Sequence, residues 1–180
     1  MGAHSQGQCG CAACDEPSVE GRENAAVVNA RLDTQLFDQR GPARNRAAKR
    51  IAMGRFAHEG AWCGLPVVGK PLAFYMGCDS RNEYIYKFVT AQNWSAADIG
   101  GGMAAGNKYL NEGKLYVAKF NSTGAGEWIE LNISNPLITS YAGAAGFTFT
   151  SQAEIYVHTR LAADAVGATK MDRPEWGAVN

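Results

Sequence analysis

Four stretches of the chain gather oxygen, nitrogen or sulfur donors more densely than folding requires. In Gly54-Arg55-Phe56-Ala57-His58-Glu59-Gly60-Ala61 a carboxylate and an imidazole adjoin a glycine that permits close backbone approach, so Glu59 is a candidate hard oxygen ligand. A loop with a solvated Glu and a packed His reads the same way. In Asp79-Ser80-Arg81-Asn82-Glu83-Tyr84, oxygen donors collect at a turn. Calcium takes about six to eight such ligands, although Asp and Asn also populate bare turns. In Asp172-Arg173-Pro174-Glu175-Trp176, the planar fork of Arg173 matches a phosphate or carboxylate. Pro174 stiffens the backbone so that Arg173 and Glu175, two apart in an extended chain, face one side. A carboxylate-held metal beside a guanidinium suits phosphoester hydrolysis, and a surface ion pair has the same sequence. Finally, Cys9-Gly-Cys11-Ala-Ala-Cys14 has thiolate spacing found in zinc and iron–sulfur sites, but no second such pair completes it.

Other chemistries find no support. The chain lacks a glycine-rich phosphate loop, a dinucleotide fingerprint, an HExxH pair and a GxSxG elbow. Seventeen basic residues balance seventeen acidic ones, so no global field favours nucleic acid or an anionic membrane. No apolar run approaches the roughly 18 residues that span a bilayer, and the opening MGAHSQGQCGC lacks the basic start and apolar core of an export signal. A polyanionic partner would need a local patch. Five cysteines cannot all pair, which argues against a disulfide framework.

These residues need elements to position them. With 46% hydrophobic and 19% charged residues over 180 positions, the chain has the composition of one globular domain. Residues 1–50 are polar and weakly periodic, and read as a loose arm or one short helix; residues 51–180 form the domain. Aromatic and β-branched segments predict strands over 72–76, 84–90, 114–120 and 127–131, joined by turn-forming residues 77–82 and 121–126 into two antiparallel hairpins. Residues 95–112 read as a surface insertion between them, with a short helical turn at 95–98 and a glycine link at 100–102. Ser151-x-x-Glu154 is a capping box that opens a helix over 151–166, with Gly167 at its end. His158, Trp62, Trp94, Trp128 and Trp176 read as packing residues. The class is mainly β, and repeated hairpins suit a β-propeller blade or a sandwich alike.

Taken in order, the segments GRFAHEGA (54–61), FYMGCDSRNEYIYKFV (74–89), LYVAKF (115–120), TRLAAD (159–164) and GATKMDRPEW (167–176) resemble the PhoX-type alkaline phosphatases. The resemblance covers residues 50–180 and implies part of a β-propeller that hydrolyses phosphomonoesters with iron and calcium held mainly by carboxylates. It implies that Glu59 and Glu175 are metal ligands, that Arg173 contacts the substrate phosphate, and that Glu83 is a calcium ligand with Asp79 behind it. It also implies a periplasmic or secreted setting. The family's twin-arginine signal, Trp-Gly-Thr run and Cys-Glu-Glu cluster have no counterpart here, and the chain stops where relatives continue. The expectation is an internal piece of the enzyme with an unfinished site that need not be active on its own. The competing reading is a non-catalytic, β-rich calcium-binding or structural module on the same scaffold. A redox or metal protein centred on Cys9, Cys11 and Cys14 is a third.

Overall fold

The computed structural model describes residues 35–37, 47–175 and 177–179. Short strands β1 (Gln35–Phe37) and β2 (Ala47–Lys49) pair antiparallel. The other residues of the 1–46 stretch, including Cys9, Cys11 and Cys14, lie outside the described residues, as does Trp176.

The main element is a five-stranded antiparallel sheet of β3 (His58–Cys63), β4 (Pro71–Cys78), β6 (Ile85–Asn93), β7 (Gly113–Phe120) and β8 (Gly126–Glu130), whose spatial order follows chain order. The short β5 (Arg81–Glu83) leaves this sheet to pair elsewhere. Both predicted hairpins are present, and pairing of β6 with β7 fuses them into one meander.

Alternation of side chains decides which face is buried. Met76, Tyr86 and Val117 lie abreast across three strands, as do Phe74, Phe88 and Leu115, and all six are buried. The intervening row of Tyr75, Lys87 and Tyr116 is half-buried on the opposite face. There the Lys87 ammonium lies 4.9 Å from the Tyr116 ring and 4.7 Å from that of Trp128. Removing a fully buried ring such as Phe88 by substitution with alanine is expected to cost about 3–5 kcal/mol.

Helices cover the core face. Residues 104–112 are not a surface insertion: α1 (Gly102–Leu110) buries Ala105, Tyr109 and Leu110. After the short α2 (Pro136–Thr139), the capping box forms as predicted, with Ser151 accepting from the Glu154 amide and Glu154 reaching back to Ser151. The expected single helix over 151–166 is broken at His158 (φ −111°, ψ 42°) into α3 (Gln152–Val157) and α4 (Thr159–Ala165). A tertiary contact occupies the break, because the Thr159 hydroxyl oxygen accepts the Arg55 amide at 3.0 Å while the hydroxyl bonds back to the Ile155 and Tyr156 carbonyls. The segment leading into β3 is thereby tied to the helix pair. Last comes β9 (Met171–Asp172), antiparallel to β5.

Candidate functional site

The polar stretches converge at one end of the sheet, where the β4–β6 connection meets the segment after α4. Arg81 pairs with Asp172 and Glu83 with Met171, and the Arg173 amide donates to the Ser80 carbonyl at 3.2 Å. The chain then turns through a left-handed Arg173 (φ +52°), a conformation that costs a non-glycine residue on the order of 1 kcal/mol or more and clusters at functional positions. The backbone of Pro174 and Glu175 next runs across Gly77, where an added β-carbon would stand 2.1 Å from the Pro174 carbonyl oxygen. Only glycine at position 77 leaves room for this crossing.

The turn sets the side chains. Arg173 Nε and Nη2 donate to the two Asp79 oxygens at 2.8 and 3.2 Å, and Nη2 is also 3.2 Å from Glu175 Oε1. Arg173 and Glu175 do share a side, but through the left-handed turn rather than the extended chain expected. The guanidinium is 54% exposed, and hydrogen bonding to Asp79, with the charges of Asp79 and Glu175, pushes its pKa upward. Asp79 is anchored by its own amide, which donates to the Ala57 carbonyl at 2.8 Å.

Glu59 lies at an irregularity in the sheet. His58 opposes Cys78 while Gly60 opposes Gly77, so Glu59 is the extra residue of a β-bulge, a device that re-aims side chains beside functional sites. Its half-buried carboxylate makes no hydrogen bond or ion pair among the described residues. Because Glu175 passes over Gly77, the Glu59 bulge and the Glu175 backbone flank the same glycine. His58 is a packing residue: it stacks on Phe56 with ring centroids 3.6 Å apart, and Nε2–H donates to the Gly54 carbonyl at 3.0 Å.

Glu83 is held apart from these two. Its Oε2 is buried and, although 3.4 Å from Arg160 Nε, accepts no hydrogen bond. Burial raises its pKa, opposed by the Arg160 charge. Arg160 Nη2 also reaches the buried Cys78 Sγ and the Ser80 Oγ, each at 3.4 Å. Nearby, Tyr84 donates to Asp164 at 2.5 Å, and Lys170 pairs with Asp164 at 3.4 Å. Arg160 and the glycine crossing were not legible as site features, because the partners of Arg160 lie about 80 residues away and Gly77 carries no side chain.

Carboxylates suit a hard cation in kind. Their number in one place does not yet suffice, since among the described residues no three His, Cys, Asp or Glu side chains gather as a metal group. The remaining aromatic residues pack as expected: Trp94 is buried against Tyr109, Trp128 lies against Tyr75, and His158 meets Phe147 edge-on.

The described residues form a mainly antiparallel β domain that holds a half-exposed guanidinium between two carboxylates at one end of the large sheet. The chain belongs to the PhoX alkaline phosphatase family, whose model, alkaline phosphatase PhoX, matches residues 38–180. Among solved structures, Pseudomonas fluorescens PhoX in complex with vanadate, a transition state analogue, is 38% identical to it. That likeness has a TM-score of 0.59 and covers 74% of this chain and 23% of the other. The chain thus spans under a quarter of that protein's length. No curated protein matches it.

Proposed function

We propose that the chain contributes to metal-dependent hydrolysis of small phosphomonoesters, with Arg173 as the phosphate-gripping residue. The observation that carries this is the Arg173 guanidinium, fixed on a left-handed turn between Asp79 and Glu175 and more than half exposed in a member of this family. A guanidinium so placed offers its remaining N–H donors, on Nη1, to a phosphoryl oxygen and stabilises the charge that grows there during transfer.

Glu59 and Glu175, flanking Gly77, together with Glu83 are the proposed carboxylate ligands, for calcium and iron. Bound ions would polarise the phosphoryl oxygens and acidify a nucleophilic oxygen. The five-stranded meander is proposed as one blade of a propeller that longer relatives complete, and the setting as periplasmic or secreted.

The test is elemental analysis after incubation with calcium and iron, followed by a phosphomonoesterase assay. Retention of metal by the wild type and its loss in Glu175→Ala supports the reading. Metal retained equally in both, or turnover unaffected by Arg173→Lys, overturns it. Calcium bound without turnover selects the second reading, a non-catalytic calcium-binding or structural module.

A further inference from the structure

The geometry points to Asp79 as the residue that aims Arg173 at the phosphate, an inference that rests on the phosphate-binding reading of Arg173. A guanidinium presents five N–H groups in one plane, so its orientation is fixed once one edge is held. Asp79 holds such an edge: its two oxygens take Nε–H at 2.8 Å and one Nη2–H at 3.2 Å. Glu175 takes Nη2 from the side at 3.2 Å, and Nη1 has no partner among the described residues. The free corner of the fork is therefore Nη1. The main chain that carries Asp79 is held on both sides, since its amide is fixed to Ala57 and the neighbouring Ser80 carbonyl takes the Arg173 amide. The two residues stand 94 positions apart; their side chains bond directly, and the Arg173 amide bonds the carbonyl of Ser80, the residue after Asp79.

Asp79 has two opposed effects on an anion. Its charge repels phosphate, so by Coulomb's law alone its removal should tighten binding. Its grip removes the rotational freedom of a long, exposed arginine, whose ordering otherwise opposes binding. At a 54% exposed site solvent screens the repulsion, whereas the bidentate grip is local and geometric. Aiming therefore outweighs repulsion, and Asp79 is a positioning residue rather than a competitor for the fork.

The experiment titrates inorganic phosphate into the full chain with calcium and iron present, by calorimetry, for the wild type, Asp79→Asn, Asp79→Ala, Arg173→Ala and the double variant Asp79→Ala with Arg173→Ala. Orienting partners of site residues act on a scale of about 10-fold or more, so Asp79→Ala should weaken binding by about that factor. Asp79→Asn, which keeps one acceptor oxygen, should fall between. The effect should vanish in the Arg173→Ala background, because no fork remains to be aimed. The Nε–H signal of Arg173 in a nitrogen-15 spectrum should lose its protection from solvent exchange in the Asp79 variants, while amides outside 78–83 and 171–175 stay in place. Unchanged or tighter binding in Asp79→Ala, with Arg173→Ala still impaired, overturns the aiming role and leaves the phosphate reading intact. A spectrum altered throughout also overturns it, by showing that Asp79 holds the fold. Wild type that binds no phosphate, or Arg173→Ala that binds as well as wild type, removes the phosphate reading and the aiming role together.

Discussion

Gly77 and Pro174 are in direct backbone contact: the place a β-carbon would take on Gly77 is 2.1 Å from the Pro174 carbonyl oxygen. Two chain segments almost a hundred residues apart are docked through the absence of one methyl group. Gly77→Ala should push residues 173–177 off the sheet, with an overpacking cost of about 1–3 kcal/mol. The checks are a urea unfolding curve and proteolysis within 173–179. A variant with unchanged midpoint and unchanged cleavage would falsify the docking.

Arg173→Lys keeps the charge and loses the fork. Given the bidentate contact with Asp79, turnover should fall about 100-fold or more with metal content unchanged. Loss of metal alongside turnover would instead place Arg173 in the structure of the cation site.

The capping box gives a pH dependence that can be isolated. Glu154 accepts from the Thr150 amide at 2.6 Å and also from the Thr150 hydroxyl and the Ser151 amide, and these bonds hold its pKa below the usual value. A depressed folded-state pKa means that the unfolded chain binds the proton more readily. The stabilisation is thus complete above the ordinary glutamate range and is lost as pH falls through the lowered folded value. Glu154→Gln should unfold more easily than wild type at neutral pH, and the gap should narrow on acidification. A gap that is constant with pH would mean that the carboxylate charge plays no part.

Arg50 is almost fully buried, with Nη1 donating to Asn107 at 2.7 Å and Asn111 at 2.6 Å, which ties the chain before β3 to the last turns of α1. Its Nε is buried without a hydrogen bond. Arg50→Ala should cost about 2–3 kcal/mol, through lost packing and lost bonds. Arg50→Met fills the space without burying a charge, and should cost about 1 kcal/mol or less. Equal losses in thermal unfolding would show that the hydrogen bonds, not the volume, carry the effect.

Aromatic and β-branched content made β4, β6, β7 and β8 legible, because such side chains suit the pleated surface that buries Phe74, Met76, Tyr86, Phe88, Leu115 and Val117. β3 escaped because its bulge spaces His58 and Ala61 three apart, which breaks the period at the residue of interest. α1 escaped for a different reason: Gly102, Gly106 and two alanines mute its hydrophobic signal, although Ala105, Tyr109 and Leu110 are buried. The break at His158 comes from Arg55 bonding Thr159, 104 residues away, which local capping rules cannot see. At the site, Arg173 and Glu175 are near in sequence and their pairing was readable. The grip of Asp79 depends on the pairing of β5 with β9, and nothing local to either residue announces it.

The meander also orders events in time. Every strand of the large sheet neighbours its predecessor in the chain or is separated from it only by β5, so it assembles by closing short loops, the fastest steps available to a folding chain. The contact of Asp79 with Arg173 closes a span of 94 residues and requires the sheet surface at Gly77 as its dock. Pulse-labelled hydrogen exchange should therefore protect β4, β6 and β7 before β9. On a ribosome, the sheet would stand complete while Arg173 was still inside the exit tunnel.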